Sequence, residues 1–308
     1  MLDFSHDPQV TDSLRQWRTR EVFTTDFGSA DLRGLSRELR ERSIFSARTT
    51  NAEYLQDVSD VVDDLLRGKI NIATARLQLM RKLKQLGYDP AVGFPQDMAA
   101  IPPAERGSLQ DLSSEMRIDL MLKTNVAMAR NYGRVVAGNT SEALYAFPAW
   151  ELVRLGVRHT PRGTPDSHSV GWQRRWSAAG SSVGWVGCVG GNQEPGTKNE
   201  EPPLRMIALK DSPIWQALGD GDGGDWTDTL GNPYPPFAFN SGMDWRAVSR
   251  AEAEEVFGGG AKDNVRGARA THTGPMRASL APTSKELADR FAALSPDIRA
   301  ALERSWAE

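Results

Sequence analysis

Residues 51–87 read NAEYLQDVSDVVDDLLRGKINIATARLQLMRKLKQLG, and their spacing decides the fold class. Leu55, Val58, Val62 and Leu65 recur at steps of three and four, the apolar stripe of an amphipathic helix, and Gly68 supplies its stop. A second stripe, Ile72, Ala75, Leu79, Leu83 and Leu86, ends at Gly87. Two such helices separated by a very short turn predict an αα-hairpin over 51–87. Downstream, the stretch from Leu109 to Gly138 contains no proline. Asp111, Ser113 or Ser114 is placed to cap a long helix there, running through Met116, Leu120, Lys123, Ala127 and Val135. Residues 89–107 carry four prolines and read as a linker.

The second half has a different character. From about Glu151 glycine, proline and tryptophan become dense, and no helical periodicity is expected again before Ser249. Residues 181–203 read as a long loop or a hairpin, and Leu204 to Leu209 as a short buried strand. Residues 258–282, rich in Gly, Ala, Arg and Thr, read as a flexible segment. Pro282-Thr283-Ser284-Lys285-Glu286 and Ser295-Pro296 then open two C-terminal helices. The expected class is α+β: a helical region 1–108, a long helix leading into a compact irregular domain with few short strands over 109–257, and a final segment 258–308.

Composition bounds the function. The 308 residues carry 37 basic and 40 acidic side chains, a formal charge of −3, with 39% hydrophobic and 25% charged residues. This excludes a collagen-like or wholly disordered chain, and it argues against a surface that is basic throughout. Cys188 is the single cysteine, so an intrachain disulfide and a multi-cysteine zinc site are both excluded. The start Met1-Leu2-Asp3-Phe4-Ser5-His6-Asp7 lacks the basic and apolar regions of a signal peptide, and no 18-residue apolar run is present. Neither secretion by a signal peptide nor membrane spanning is expected.

Catalytic patterns occur, but in the wrong contexts. Gly180-Ser181-Ser182-Val183-Gly184 fits G-x-S-x-G but runs on into Gly-Trp-Val-Gly instead of into a helix. Gly219 to Gly224 fits G-x-G-x-x-G, yet Asp220 and Asp222 inside it would repel a pyrophosphate. Asp220, Asp222, Asp225 and Asp228 offer the oxygen ligands that Ca²⁺ needs, but the twelfth position from Asp220 is Gly231 where an EF-hand has Glu. His159, His168 and Cys188 form a sparse candidate set of three ligands. Arg154, Arg158, Arg162, Arg174 and Arg175, set against Glu151 and Asp166, make one stretch locally basic. Within it Trp172, Arg174, Arg175 and Trp176 interleave cations with aromatic faces, which suits either stacking on bases and gripping phosphates or Arg/Trp packing within the protein. From Leu204 to Gly260 the balance reverses, to four basic and nine acidic residues, which favours docking a basic protein over DNA.

Two stretches resemble the phage head morphogenesis or minor head proteins typified by the F protein of bacteriophage Mu. The first runs from Ile44-Phe45-Ser46-Ala47-Arg48 through the hairpin to Arg117-Ile118-Asp119-Leu120-Met121-Leu122-Lys123-Thr124-Asn125-Val126-Ala127-Met128-Ala129-Arg130-Asn131-Tyr132-Gly133. It is similar to that family's "F-S-A" opening, helical pair and long helix with T-N. The second joins Met206-Ile207-Ala208-Leu209-Lys210-Asp211-Ser212-Pro213-Ile214-Trp215 to Asn232-Pro233-Tyr234-Pro235-Pro236-Phe237-Ala238-Phe239-Asn240-Ser241-Gly242-Met243, and resembles the family's D-x-x-W segment and "Y-P-P" turn. Together they span about residues 44–250. Relatives that carry Cys and His near this turn differ from this chain, which has Asn240-Ser241-Gly242.

The resemblance implies a minor capsid protein of a tailed phage or prophage, with the portal protein and capsid proteins as partners. Its place would be the capsid interior or portal vertex, and the host cytoplasm during assembly. It implies binding without catalysis, so no catalytic residue, cofactor or metal is expected. Arg158, Arg162, Trp172, Arg174, Arg175 and Trp176 are the candidate contacts to portal or packaged DNA. Thr124 and Asn125 are expected to hydrogen-bond a neighbouring loop, and Pro235-Pro236 to form a rigid turn that pins Phe237 and Phe239. The alternatives are a metal-dependent hydrolase using Asp220 to Asp228 with His159 and His168, a toxin-like effector, and a plain DNA-binding protein.

Overall fold

A computed structural model describes residues 8–25, 43–44, 46–95, 103–154, 167–184, 205–226 and 228–257. The expected flexible segment 258–282 and the C-terminal helices lie outside these residues. The fold is α+β, with eight helices and a few short strands among the described residues. The chain divides into two compact units, residues 1–130 with 275–308, and residues 131–274. The division falls inside the long helix and not at its start.

In the first unit, α1 (Pro8–Arg18) leads to β1 (Glu21–Val22), which pairs in parallel with β2 (Ser43–Ile44). The hairpin follows as α2 (Ala52–Leu66) and α3 (Ile72–Gln85). Its ends form as the sequence dictates. Asn51 Oδ1 accepts from Tyr54 N and Asn71 Oδ1 from Thr74 N, each at 2.9 Å, satisfying donors that a helix start leaves without partners. Gly68 and Gly87 close the two helices at positive φ. The apolar stripes meet as expected. Leu55, Val58, Val62 and Leu65 of α2 and Ala75, Leu79 and Leu83 of α3 are all buried. Most of them join Ile118, Leu122 and Val126 of α4 (Glu115–Gly138) in one cluster. Ser114 caps α4, its Oγ accepting from Arg117 N at 3.1 Å. Residues 89–95 are more than a linker: Phe94 is buried, its ring centroid 5.1 Å from that of Tyr88 and 6.4 Å from that of Tyr54.

In the second unit, α5 (Ser141–Ala146) precedes β3 (Ala149–Arg154), the middle strand of an antiparallel sheet ordered β4-β3-β5, with β4 at Met206–Leu209 and β5 at Met243–Val248. The strand expected over 204–209 is therefore present. The register sets Ala149, Leu209 and Val248 side by side, and Glu151 opposite Ile207 and Arg246. Ala149, Ile207 and Val248 pack against Ala253, Val256 and Phe257 of α8 (Arg250–Phe257).

The other core of this unit is aromatic. Trp150 and Trp245 stack at 5.0 Å and 7°, and Trp245 meets Trp215 edge-on at 5.2 Å. Trp215 in turn meets Trp176 edge-on at 5.3 Å and stacks on Phe237 at 6.1 Å. Trp215 lies in α7 (Ile214–Asp220) and Trp176 in α6 (Ser167–Ser182). Helices α6 and α7 correct the expectation of no helix between 151 and 249; of the loop or hairpin expected over 181–203, α6 takes only Ser181 and Ser182, and 185–203 lie outside the described residues. The Gly, Ser and Trp content of α6 lowers intrinsic helix propensity, but Trp172, Trp176 and Ala179 face inward together, so tertiary burial stabilises it.

Candidate functional site

The basic, tryptophan-rich stretch is split by the fold. Trp172 and Trp176 are 4% and 0% exposed, so neither ring offers a face to a nucleic-acid base. The Arg175 guanidinium lies 5.0 Å from the Trp172 ring centroid and 4.5 Å from that of Trp226, and its Nη2 donates to Asp228 Oδ1 at 2.5 Å. Here the Arg/Trp packing within the protein prevails over the open stacking platform, because two rings and a carboxylate desolvate the cation together. Arg174, on the opposite side of α6, is exposed. Arg158 and Arg162 lie outside the described residues, as do His159 and Cys188, and of His168 only the backbone, in the first turn of α6, is described.

The acidic loop is likewise engaged in structure. Asp220 Oδ2 accepts from Gln216 Nε2 at 2.7 Å, and Asp228 is taken by Arg175. Asp222 and Asp225 are exposed. Among the described residues, no three His, Cys, Asp or Glu side chains converge as a metal site would require. The glycine pattern there serves packing. A Cβ at Gly219 would fall 2.1 Å from the carbonyl oxygen of Asn232, a contact that excludes any side chain.

The Tyr-Pro-Pro turn is built into the aromatic core. Tyr234 and Phe237 are buried, the Pro235-Pro236 bond is cis, and Asn232 Nδ2 donates to the carbonyls of Tyr234 and Pro236, each at 3.1 Å. Phe239, expected to be pinned alongside Phe237, is instead 42% exposed, because the chain turns at Phe239–Asn240, with Asn240 at φ 55°. Asn125 also departs from expectation. Its Nδ2 donates to Met121 O at 2.9 Å within the same helix, in place of a neighbouring loop, while Thr124 is buried.

No family model, curated protein or solved structure matches this chain.

Two clusters were not anticipated from the sequence. On the sheet, Arg205 Nε donates to Glu151 Oε1 at 2.8 Å and its Nη2 to Glu252 Oε1 at 2.5 Å. Arg246 bonds the same two carboxylates, with Nε 2.7 Å from Glu151 Oε2 and Nη2 2.7 Å from Glu252 Oε1. The hydrogen bonds from Arg246 and Arg205 hold the Glu252 carboxyl down at about 2. Burial pushes Glu151 up, but the same two guanidiniums outweigh it and leave the group below its ordinary value. This neutral cluster of four charges ties β3, β4 and β5 to α8. Arg246 and Glu151 stand on neighbouring strands, in AWELVR and MDWRAV, and only the register reveals that they are partners.

The second is Lys210, buried just after β4. Its Nζ donates to Gly138 O at 2.7 Å and lies 4.4 Å from the Trp150 ring centroid. Burial lowers its pKa to about 8. In sequence it is one lysine after an apolar run, and nothing in the spacing separates it from a surface residue.

Proposed function

We propose that this chain is a minor capsid or head morphogenesis protein of a tailed phage or prophage, present in few copies and bound at the portal vertex during head assembly. The observation that carries this reading is that the segments resembling the Mu F-like family are one another's contacts. Arg117, at the head of the T-N helix, donates through Nη2 to Ser46 Oγ at 2.6 Å and to Ala47 O at 3.1 Å, joining that helix to the "F-S-A" turn. Trp215, from the Asp211-Ser212-Pro213-Ile214-Trp215 segment, stacks on Phe237, which follows the Tyr-Pro-Pro turn. Motif pieces far apart in sequence thus act as a set within each unit, which gives weight to their shared order and spacing.

The proposed partners are the portal protein and capsid proteins. The helical unit offers α3, whose Arg81 and Lys84 are exposed with Leu77 on the same helix, as a contact face. Any contact with packaged DNA falls to the charge of Arg174, with Arg158 and Arg162, and not to ring stacking. No helix among the described residues is long and apolar enough to cross a membrane.

The test is co-expression with the portal protein of the same phage or prophage, followed by size-exclusion chromatography. Co-elution is expected, weakened by Arg81→Glu with Lys84→Glu. Separate elution of two folded proteins would contradict the reading.

A further inference from the structure

Helix α5 contains no buried residue, yet two cations fasten it. Lys210 Nζ donates to Gly138 O, at the end of α4, and reaches Ala143 O of α5 at 3.5 Å. Arg250 Nε donates to Tyr145 O at 2.6 Å, with its guanidinium 4.7 Å from the Tyr145 ring centroid. The fit at the first of these is close. A Cβ at Gly138 would lie 2.8 Å from the Trp150 ring and 3.4 Å from Lys210 Nζ, so helix end, ring and ammonium can meet only at a glycine. The helix held in this way displays Tyr145, 72% exposed, followed by Phe147, 44% exposed.

We propose that the junction of α4 and α5 is a proton-linked latch: Lys210 holds α5 closed from a desolvated position over Trp150, and opening returns its amine to water and takes up a proton. This goes beyond the head-assembly reading and does not depend on it.

The charged groups on the surrounding elements are engaged elsewhere. Arg134 of α4 bonds Asp244 at 2.7 Å, Glu151 of β3 bonds Arg205 and Arg246, and Arg250 of α8 bonds the carbonyls of α5. Glu142 of α5 and Asp211, next to Lys210 in the chain, are exposed. None of these moves the Lys210 amine, for which burial is the single cause of the lowered pKa. In the closed latch the amine titrates at about 8, and in water at its ordinary 10.5. Below about 8 both states carry the proton, and opening does not depend on pH. Between the two values the open state holds a proton that the closed state has shed. Opening therefore becomes harder as pH rises, approaching about tenfold per pH unit for one proton.

Millisecond amide hydrogen exchange of the full chain from pH 6.5 to 9.5, corrected for intrinsic rates, tests the latch. The amides of Leu144 and Phe147, which bond Thr140 O and Ala143 O, are the reporters. Their opening is expected to be flat below about pH 7.5 and to fall toward about tenfold per unit above pH 8. Lys210→Met is expected to remove the slope, and Lys210→Arg, permanently charged, to remove it while keeping the donor. A flat wild-type profile, a slope that persists in either variant, or the same slope in the amides of β3 and β5, which would mark whole-unit unfolding, overturns the proposal.

Discussion

The two units reach stability by different routes. The helical unit packs mostly aliphatic side chains from α2, α3 and α4, and several of its ion pairs lie at the surface, as where Lys82 bonds Glu53 at 2.6 Å and Asp57 at 2.9 Å, although Arg20 and Asp111 are buried. The sheet unit relies on a few large or charged groups in fixed geometry: a chain of tryptophans, the Glu151 cluster, and cations set on helix ends. Aliphatic packing is non-directional and tolerates small shifts, whereas ring stacking and forked guanidinium bonds do not. Substitutions should therefore cost in proportion to volume in the first unit, and in proportion to lost geometry in the second.

The comparison is broken most forcefully at its two centres. Trp245→Ala should destabilise the sheet unit by about 4 kcal/mol, and Leu79→Ala the helical unit by about 3 kcal/mol. Urea unfolding followed by tryptophan fluorescence and by circular dichroism should resolve which unit melts in each variant. Equal loss of both units in either variant would contradict their separate cores.

Glu151→Gln removes a largely buried carboxylate that two arginines share, and should cost about 2 kcal/mol; an exposed pair such as Arg15 with Asp12 should cost less than about 0.5 kcal/mol when broken. Asn51→Ala or Asn71→Ala should each cost about 1 kcal/mol through the lost cap, read as a drop in thermal midpoint. At α6, Arg175→Glu should destabilise measurably, while Arg174→Glu on the exposed side should change stability by less than about 0.5 kcal/mol. If both behave alike, the sandwich of Arg175 between Trp172 and Trp226 is not formed in solution.

Acid sharpens the contrast further. The Glu252 carboxyl is held at about 2 in the fold against an ordinary 4.5, so its contribution is complete above 4.5 and is lost as pH falls from there toward 2. Glu151, also lowered, acts in the same direction. Acid unfolding should begin in the sheet unit, and Glu252→Gln should flatten that limb of its stability profile.

The same physics explains what the sequence made legible. A stripe of period 3.6 is written in residues that neighbour one another in the chain, so the hairpin with its glycine stops and the long helix with its serine cap could be read directly, whereas the asparagine caps of the hairpin were seen only in the structure. The second unit is written in pairs far apart in sequence: Glu151 with Arg205 and Arg246, Trp150 with Trp245, Lys210 with Gly138. No local period reports those. Helix α6 was hidden for a related reason, since glycines and serines interrupt it and only the spacing of Trp172, Trp176 and Ala179 betrays an inward face. Phe94 was hidden by its prolines, which signal a turn without saying whether the turn is buried.

The central claim is the proposed role in head assembly, and the most direct test is quantitative mass spectrometry of gradient-purified phage proheads and mature particles recovered from cells that encode this chain. The account predicts the protein in particles that contain portal, at a small fraction of the abundance of the major capsid protein. Its absence from both proheads and mature particles, with portal present in each, would contradict the account.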